Sequence, residues 1–444
     1  MKNRIITIIG IITGLSCSIN GYTQDAAATK TDDFKPSGNV YGYLFGDYYM
    51  KSHADSLNRG GGNVQYRGVP KNFDAFQIRR AYLGYDFNIS KQFSTSVLLA
   101  DEAGPSITNT GTNLDASGSN SMYVKFAYVK WSNIFKNSSL ILGQYVTSSF
   151  ATANQTEMLM GYRFDERTLL DMHGNDQASD LGLSLQGNVW TQQQAKDTLK
   201  PTLLGYVAQV GNGSSAKPET DKFKKVRVNL FLSTMQQRVI IGIYGDYNPL
   251  KLNHSNFKHE DQSTSTMKLY AHYKSEWFKI GAEIFQQTNM NGDIIAKNSA
   301  GNRDTVNGMQ QGISVFASGR LINHTLNIFV RLDMYNPDSK FNASNSYTAT
   351  AAGTIAPASA SNGNMTYTTF YKQTFYTIGL DYTPIARVHI MPNIWYDKYT
   401  AMMSSAGGKT LTANQKSGYD LVPRITCYFI FNSSKTVNNN GMDY

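Results

Sequence analysis

Apolar and polar residues alternate one by one through most of this sequence, in runs of roughly ten separated by alternately short and long stretches. A side-chain period of two belongs to β-strands, because successive residues point to opposite faces of the pleat. In Met267-Lys268-Leu269-Tyr270-Ala271-His272-Tyr273-Lys274, one face carries Met, Leu, Ala and Tyr and the other Lys, Tyr, His and Lys. Leu326-Asn327-Ile328-Phe329-Val330-Arg331-Leu332-Asp333 separates in the same way. Sixteen segments of this kind can be drawn: 38–51, 74–87, 92–102, 122–132, 139–148, 180–190, 201–210, 223–234, 238–248, 265–276, 277–287, 310–321, 324–335, 371–382, 387–399 and 419–431. Short connections fall around Asn88–Lys91, Asn133–Ser138, Thr234–Gln237, Ile322–Asn323 and Thr383–Ala386. Between them 52–73, 103–121, 149–179, 288–308 and 336–370 are long and rich in Gly, Asn and Ser. This is the rhythm of successive hairpins with their tight turns on one edge and their loops on the other. Structureless loops of that length count against a compact soluble domain.

A soluble β-sandwich shows the same alternation with its apolar face inward, whereas a barrel in a bilayer turns that face out. Two features favour the second arrangement. Aromatics gather at strand ends, at Tyr48, Tyr49, Trp131, Tyr247, Trp277, Tyr335, Trp395, Tyr396 and Tyr399, as an interfacial girdle requires. The polar face also carries bulky and charged residues on nearly every strand, which suits a wet interior. Past the N-terminus no apolar run reaches the roughly 20 residues of a spanning helix, so any crossing of a membrane is made by strands. The expected fold is all-β: a transmembrane antiparallel β-barrel of about 16 strands with short periplasmic turns and long extracellular loops.

The N-terminus reads as an export signal. Lys2 and Arg4 precede the apolar stretch Ile5–Leu15, and small or polar residues follow from Ser16 to Ala28. We expect a signal peptide over 1–23, with cleavage between 20 and 28, a short periplasmic segment over 24–37, the barrel over 38–431, and a flexible polar tail over 432–444. Lipidation at Cys17 is the alternative, but Gly14-Leu15-Ser16 is a poor match to the pattern that precedes an acylated cysteine. Cleavage leaves Cys427 alone, so no intramolecular disulfide can form. It also lowers the formal charge from +9 to +7, with 39 basic against 32 acidic residues. That excess fits contact with lipopolysaccharide and equally an anion-attracting interior, and selects neither.

Several collinear motifs resemble one known family. Phe76-Gln77-Ile78-Arg79-Arg80-Ala81-Tyr82-Leu83-Gly84, Ala127-Tyr128-Val129-Lys130-Trp131, Leu142-Gly143-Gln144-Tyr145, and Asp165-Glu166-Arg167-Thr168-Leu169 followed by Asp180-Leu181-Gly182-Leu183 are similar, in order and spacing, to the phosphate-selective porins O and P and their relatives. The likeness covers the N-terminal half, and later strands agree in pattern only. It implies a homotrimeric outer-membrane porin of a Gram-negative bacterium whose third extracellular loop, here 149–179, folds inward. Candidate constriction residues in that loop are Glu157, Arg163, Asp165, Glu166, Arg167 and Asp171. Its balance is acidic, with Asp176 and Asp180 also present, and does not offer the dense basic site of phosphate capture. Val146-Thr147-Ser148 and Ala178-Ser179 also depart from the pattern of phosphate-specific members.

The expected function is a water-filled channel for passive diffusion of small hydrophilic solutes and ions, with at most a modest anion preference. A channel specific for phosphate or another anion is the first alternative, and a surface adhesin or structural barrel the second. The candidate pore-lining residues are Arg80, Lys130, Gln144, Arg227, Lys268, Lys274, Arg331 and Arg424. Arg79 and Arg80 pose a geometric conflict, since neighbours on a regular strand face opposite ways; either Arg79 sits at headgroup level or a bulge turns both inward. No nucleophile elbow, zinc-protease helix, phosphate loop or Cys-x-x-Cys pair is present, so the chain reads as neither an enzyme nor a cofactor or nucleic-acid binder. His254, His259, Glu260 and Asp261 have metal-ligand chemistry but lie in an expected loop with no strand geometry to fix them, so no metal is expected.

Overall fold

The computed structural model describes residues 34–56, 66, 69–102, 121–149, 168–192, 202–219, 221–251, 261–296, 303–322, 325–342, 346–350, 358–362, 365–403 and 417–433. The expected signal peptide, Glu157, Arg163, Asp165, Glu166 and Arg167, the histidines 254 and 259 with Glu260, and residues 434–444 of the tail lie outside the described residues.

The strands are β1 Ser37–Met50, β2 Asp74–Asn88, β3 Phe93–Asp101, β4 Tyr123–Phe135, β5 Ser138–Val146 and β6 Ser179–Gln192. Then come β7 Thr202–Gly211, β8 Lys225–Thr234, β9 Val239–Lys251, β10 Asp261–Lys274, β11 Phe278–Ala296 and β12 Arg303–Ile322. The last are β13 Leu326–Asn336, β14 Ser346–Thr350, β15 Ala358–Asn362, β16 Met365–Ile385, β17 Val388–Met403 and β18 Ser417–Asn432. One helical turn, α1 Leu169–Met172, lies between β5 and β6.

Sixteen of these strands close into an antiparallel ring. Each pairs with the next, β13 passes directly to β16, and β18 returns to β1 with Tyr41 opposite Asn432 and Tyr49 opposite Arg424. Ser433 extends this seam, since its amide donates to Val40 O at 2.8 Å and its hydroxyl accepts from Val40 N at 2.9 Å. The two extra strands, β14 and β15, fall inside the stretch expected as a loop and pair with β11 and β16. β11, β12 and β16 likewise run to 19, 20 and 21 residues, beyond their expected ends. Where no apolar stripe is required, backbone pairing continues without leaving a periodic signal in the sequence.

The barrel is inside-out relative to a soluble core. On β10 the outward Met267 is 62 % exposed while the neighbouring Lys268 is 3 % exposed, and every barrel strand repeats this contrast in some form. Ile241, Ile243, Leu269, Ile284, Val330 and Ile378 are all exposed, whereas Asp47, Arg227, Glu283, Arg331 and Asp397 are buried. So continuous an apolar exterior is a bilayer face.

Tilted strands bring large rings across neighbouring backbones, which explains the abundance of both glycine and aromatics. A Cβ at Gly84, Gly205, Gly242 or Gly281 would stand 2.2–2.3 Å from the rings of Tyr41, Phe231, Tyr270 and Phe316. The expected aromatic girdle is corrected in part. Tyr48, Trp131, Tyr247 and Trp277 are exposed and Tyr396 is half-buried, but Tyr49, Tyr335, Trp395 and Tyr399 are buried on the inner face. Adjacent pairs such as Tyr48-Tyr49 and Trp395-Tyr396 are split between the faces by the same period of two.

Candidate functional site

The inner wall begins with the Arg79-Arg80 pair. A β-bulge resolves their conflict: Phe45 of β1 faces Arg80 and Gly46 faces Ile78, leaving Arg79 as the extra residue. Both guanidiniums are therefore turned inward and buried. Arg79 Nε lies 2.6 Å from Asp47 Oδ2, and its Nη2 donates to Oδ1 at 3.0 Å. A second bulge, between Leu98 and Leu99, brings Lys125 of β4 inward to pair with Glu102.

Of the expected pore-lining residues, Arg80, Arg227, Lys268, Arg331 and Arg424 are buried on the inner face. Lys130 and Lys274 stand half-buried on the same stripe. Gln144 is a correction. It lies opposite Leu181, which is 45 % exposed, while Ile141 and Tyr145 of its own strand are buried. Opposed residues share a face, so Gln144 belongs to the outer one. Beside it Gly143 has φ +126, and a Cβ there would stand 2.3 Å from Ala127 O, so the strand needs glycine at this step.

Among these cations Arg227, Lys268 and Arg331 lie against carboxylates, and so does Lys51 at the end of β1. Lys268 Nζ lies 3.1 Å from Glu283, Arg331 Nη2 2.5 Å from Asp333, and Lys51 Nζ 3.1 Å from Asp420. Arg227 spans two acids, with Nη1 2.6 Å from Asp180 and Nη2 3.0 Å from Asp176. The wall is a lattice of ion pairs rather than a ladder of free positive charge.

Residues 168–178 run inside this wall. Thr168 Oγ1 caps α1, accepting from Asp171 N at 3.3 Å. Leu169 and Leu170 pack with Phe285 of β11 and Tyr335 of β13. Met172 packs in a buried cluster with Tyr49, Phe375, Trp395 and Val422, on β1 and β16–β18. One turn gripped from both arcs of the ring lies within it. Beyond α1, His173 stacks on Tyr335 with centroids 3.5 Å apart and planes 3° apart, and Asn175 donates to Gln287 and Gln310. Asp176 then receives Lys225 Nζ and Tyr244 Oη, each at 2.9 Å, besides Arg227. Burial would raise the Asp176 carboxyl, but Arg227 and Lys225 hold it well below the usual range. His173 has no such compensation, and burial, with Arg331 nearby, pushes it down to about 3. Of the expected constriction residues only Asp171 is described, and it is half-buried on α1.

The stretch 52–73, expected as one of the long extracellular loops, contributes Tyr66, fully buried against Tyr49 and Trp395 at centroid distances of 4.8 and 5.4 Å. The sequence signal for this was slight: Tyr66 and Val69 are isolated among Gly, Asn and Arg. Asp176 gave no clearer one, since it is one of several acidic residues in the loop 149–179.

No family model and no curated protein matches the chain. Solved structures match most of its length. It is similar to the outer membrane channel DcaP of Acinetobacter baumannii, with 13 % identity over 91 % of this chain and 100 % of that one and a TM-score of 0.54. An anion-selective porin from Comamonas acidovorans matches at 11 % identity, 89 % and 100 % coverage and TM-score 0.52. OprB of Pseudomonas putida matches at 9 % identity, 89 % and 94 % coverage and TM-score 0.52. At these identities the likeness is one of fold, that of the closed outer-membrane barrel.

Proposed function

We propose that the chain is an outer-membrane porin of a Gram-negative bacterium, forming a water-filled channel for passive diffusion of small hydrophilic solutes. The observation that carries this reading is the ionic inner face of an apolar-clad closed barrel, crossed by the segment 168–178. A barrel of this strand number leaves room for an aqueous channel, and an infolded segment narrows it. The pairing of Arg227, Lys268 and Arg331 with carboxylates supports a general channel with weak charge preference over phosphate capture, which needs clustered cations free to reach an oxyanion. In this reading solutes pass the half-buried Asp171, whose charge acts on Lys125 beside Arg80 on the wall.

The outer face is in contact with membrane lipid and, in the outer leaflet, lipopolysaccharide. The family resemblance supports a homotrimer, and cross-linking of detergent-extracted protein that gave only monomers would remove that assembly. The function itself is tested by swelling of proteoliposomes in isosmotic solutions of uncharged sugars. Rates that fall with sugar size are expected, and folded barrels that admit no sugar would instead favour a structural or adhesive role.

A further inference from the structure

We propose that the outer face of β16–β18 carries a binding site for one phosphorylated glycolipid of the outer leaflet, with Lys372 and Lys398 holding a lipid A phosphate of lipopolysaccharide. The proposal rests on the outer-membrane reading above and gives the general contact with lipopolysaccharide a defined place. It is independent of what the lumen conducts.

Lys372 is exposed between the buried Tyr371 and Gln373, and Lys398 between the buried Asp397 and Tyr399, so both leave the barrel on its bilayer side. A cation on that face is costly at the bilayer midplane and nearly free at headgroup level, so a pair of them marks a depth. From the extracellular end inward, β16 and β17 set Lys372 opposite Thr400, Thr374 opposite Lys398, Tyr376 opposite Tyr396, and Ile378 opposite Ile394. That end is the extracellular one because the other, between Ile385 and Val388, is a tight turn. The lysines are diagonal neighbours, about 7–8 Å apart along the sheet, and two such long side chains can close on one phosphate. Asp397 and Asp420, the carboxylates of these strand ends, are buried on the inner face and leave the outer charge in place.

Beneath the lysines runs a row of rings. Tyr376, Tyr396 and Tyr419 follow one another across β16, β17 and β18 with centroids 5.8 and 5.4 Å apart. His53, just past β1, stacks on Tyr419 at 3.7 Å with planes 11° apart, and is tied there by a hydrogen bond between its Nδ1 and Tyr419 O at 2.8 Å. Amphipathic rings in line make a ledge at the level where sugar headgroups meet acyl chains. Below it Ile378, Ile394 and Ile425 are each 45–50 % exposed and offer an acyl surface. The phosphate, sugar and acyl parts of lipid A thus meet cations, rings and aliphatic side chains in the same order. The rim is not basic all round: on the neighbouring β1–β2 pair the exposed charge at this edge is Asp74, which accepts from Tyr48 Oη at 3.4 Å.

The test uses the full-length protein extracted from the outer membrane in mild detergent, as wild type, Lys372→Gln/Lys398→Gln, Lys372→Arg/Lys398→Arg and, for control, Lys91→Gln/Lys136→Gln at the periplasmic turns. Native mass spectrometry counts the lipopolysaccharide molecules retained per barrel. Delipidated protein is then titrated with purified lipid A and with its dephosphorylated form while thermal unfolding is followed. Wild type, the arginine variant and the control should retain lipopolysaccharide and be stabilised by lipid A but not by the dephosphorylated form. The glutamine variant should lose the retained molecule and bind lipid A roughly tenfold more weakly. Should that paired variant not fold, Lys398→Gln alone carries the same expectation at smaller size. A folded glutamine variant that retains lipopolysaccharide as wild type does, an equal loss in the periplasmic control, or equal stabilisation by dephosphorylated lipid A overturns the site. So does a glutamine variant whose oligomer dissociates while its lipid binding is unchanged, which would give this face to a second copy of the chain. Wild type missing from the outer-membrane fraction refutes the location itself, and the site with it.

Discussion

Asp176 shows how one side chain can hold a loop inside a barrel. It gathers Lys225, Arg227 and Tyr244 around a carboxylate with no exposure to speak of, and breaking such a buried pair by removing one partner costs on the order of 3–5 kcal/mol. The wall strands β8 and β9 keep their backbone ladder regardless, so the loss falls on the docking of 168–178. Asp176→Asn should therefore give a barrel that still shows heat-modifiable migration but conducts more than wild type; unchanged conductance would place the anchor elsewhere. Cys427 probes the register of the opposite face. It lies opposite Ile390 and Gly46, is exposed, and alternates with the buried Arg424, Thr426 and Tyr428. A lipid-soluble maleimide should label it readily and a water-soluble one slowly, and the reverse order would mean a one-residue slip of β18.

At the scale of the element, α1 and the residues after it form the movable part of the site. His173 titrates at about 3 when stacked on Tyr335, with Arg331 close by, against an ordinary value of about 6.5. The undocked segment thus binds more protons between those values. Docking is at full strength above about pH 6.5 and weakens as pH falls toward 3, by up to roughly tenfold for each unit. Conductance at constant KCl should rise and flicker more between pH 6 and 4. His173→Phe, which can stack but not titrate, should flatten that dependence, and an unaltered pH profile in the variant would assign it to other groups. The strands themselves were legible because the period of two is imposed on every residue between water and lipid. The docking of α1 was legible only as a stretch of apolar residues, Leu169, Leu170 and Met172, in an otherwise polar loop. Which wall they touch depends on side chains far away in sequence, such as Phe285 and Trp395, and no local pattern encodes that.

For the whole molecule, alternation and hairpin rhythm specified a sixteen-strand ring, and the resemblance in β2, β4 and β5 agreed with it. What stayed hidden was of one physical kind. Bulges reassign faces without changing composition: one settled the Arg79-Arg80 conflict by turning both inward and another brought in Lys125, whereas Gln144 lies outward by plain alternation with the exposed Leu142 and no register shift. Large aromatics serve the inner wall as well as the girdle, and Tyr49 and Trp395 read the same way in sequence as Tyr48 and Tyr396. The ion pairs that neutralise the wall link residues from strands and loops far apart, as Lys51 does with Asp420. The proposed channel, with its wall cations largely paired to carboxylates, predicts a definite electrical behaviour. Purified, folded protein in a planar bilayer with KCl should open stable, ohmic unit steps. The zero-current potential in a KCl gradient should be small, and phosphate added at constant ionic strength should leave the chloride current unblocked. Folded protein that inserts but shows no unit conductance, or a current stopped by micromolar phosphate, would contradict a general diffusion channel.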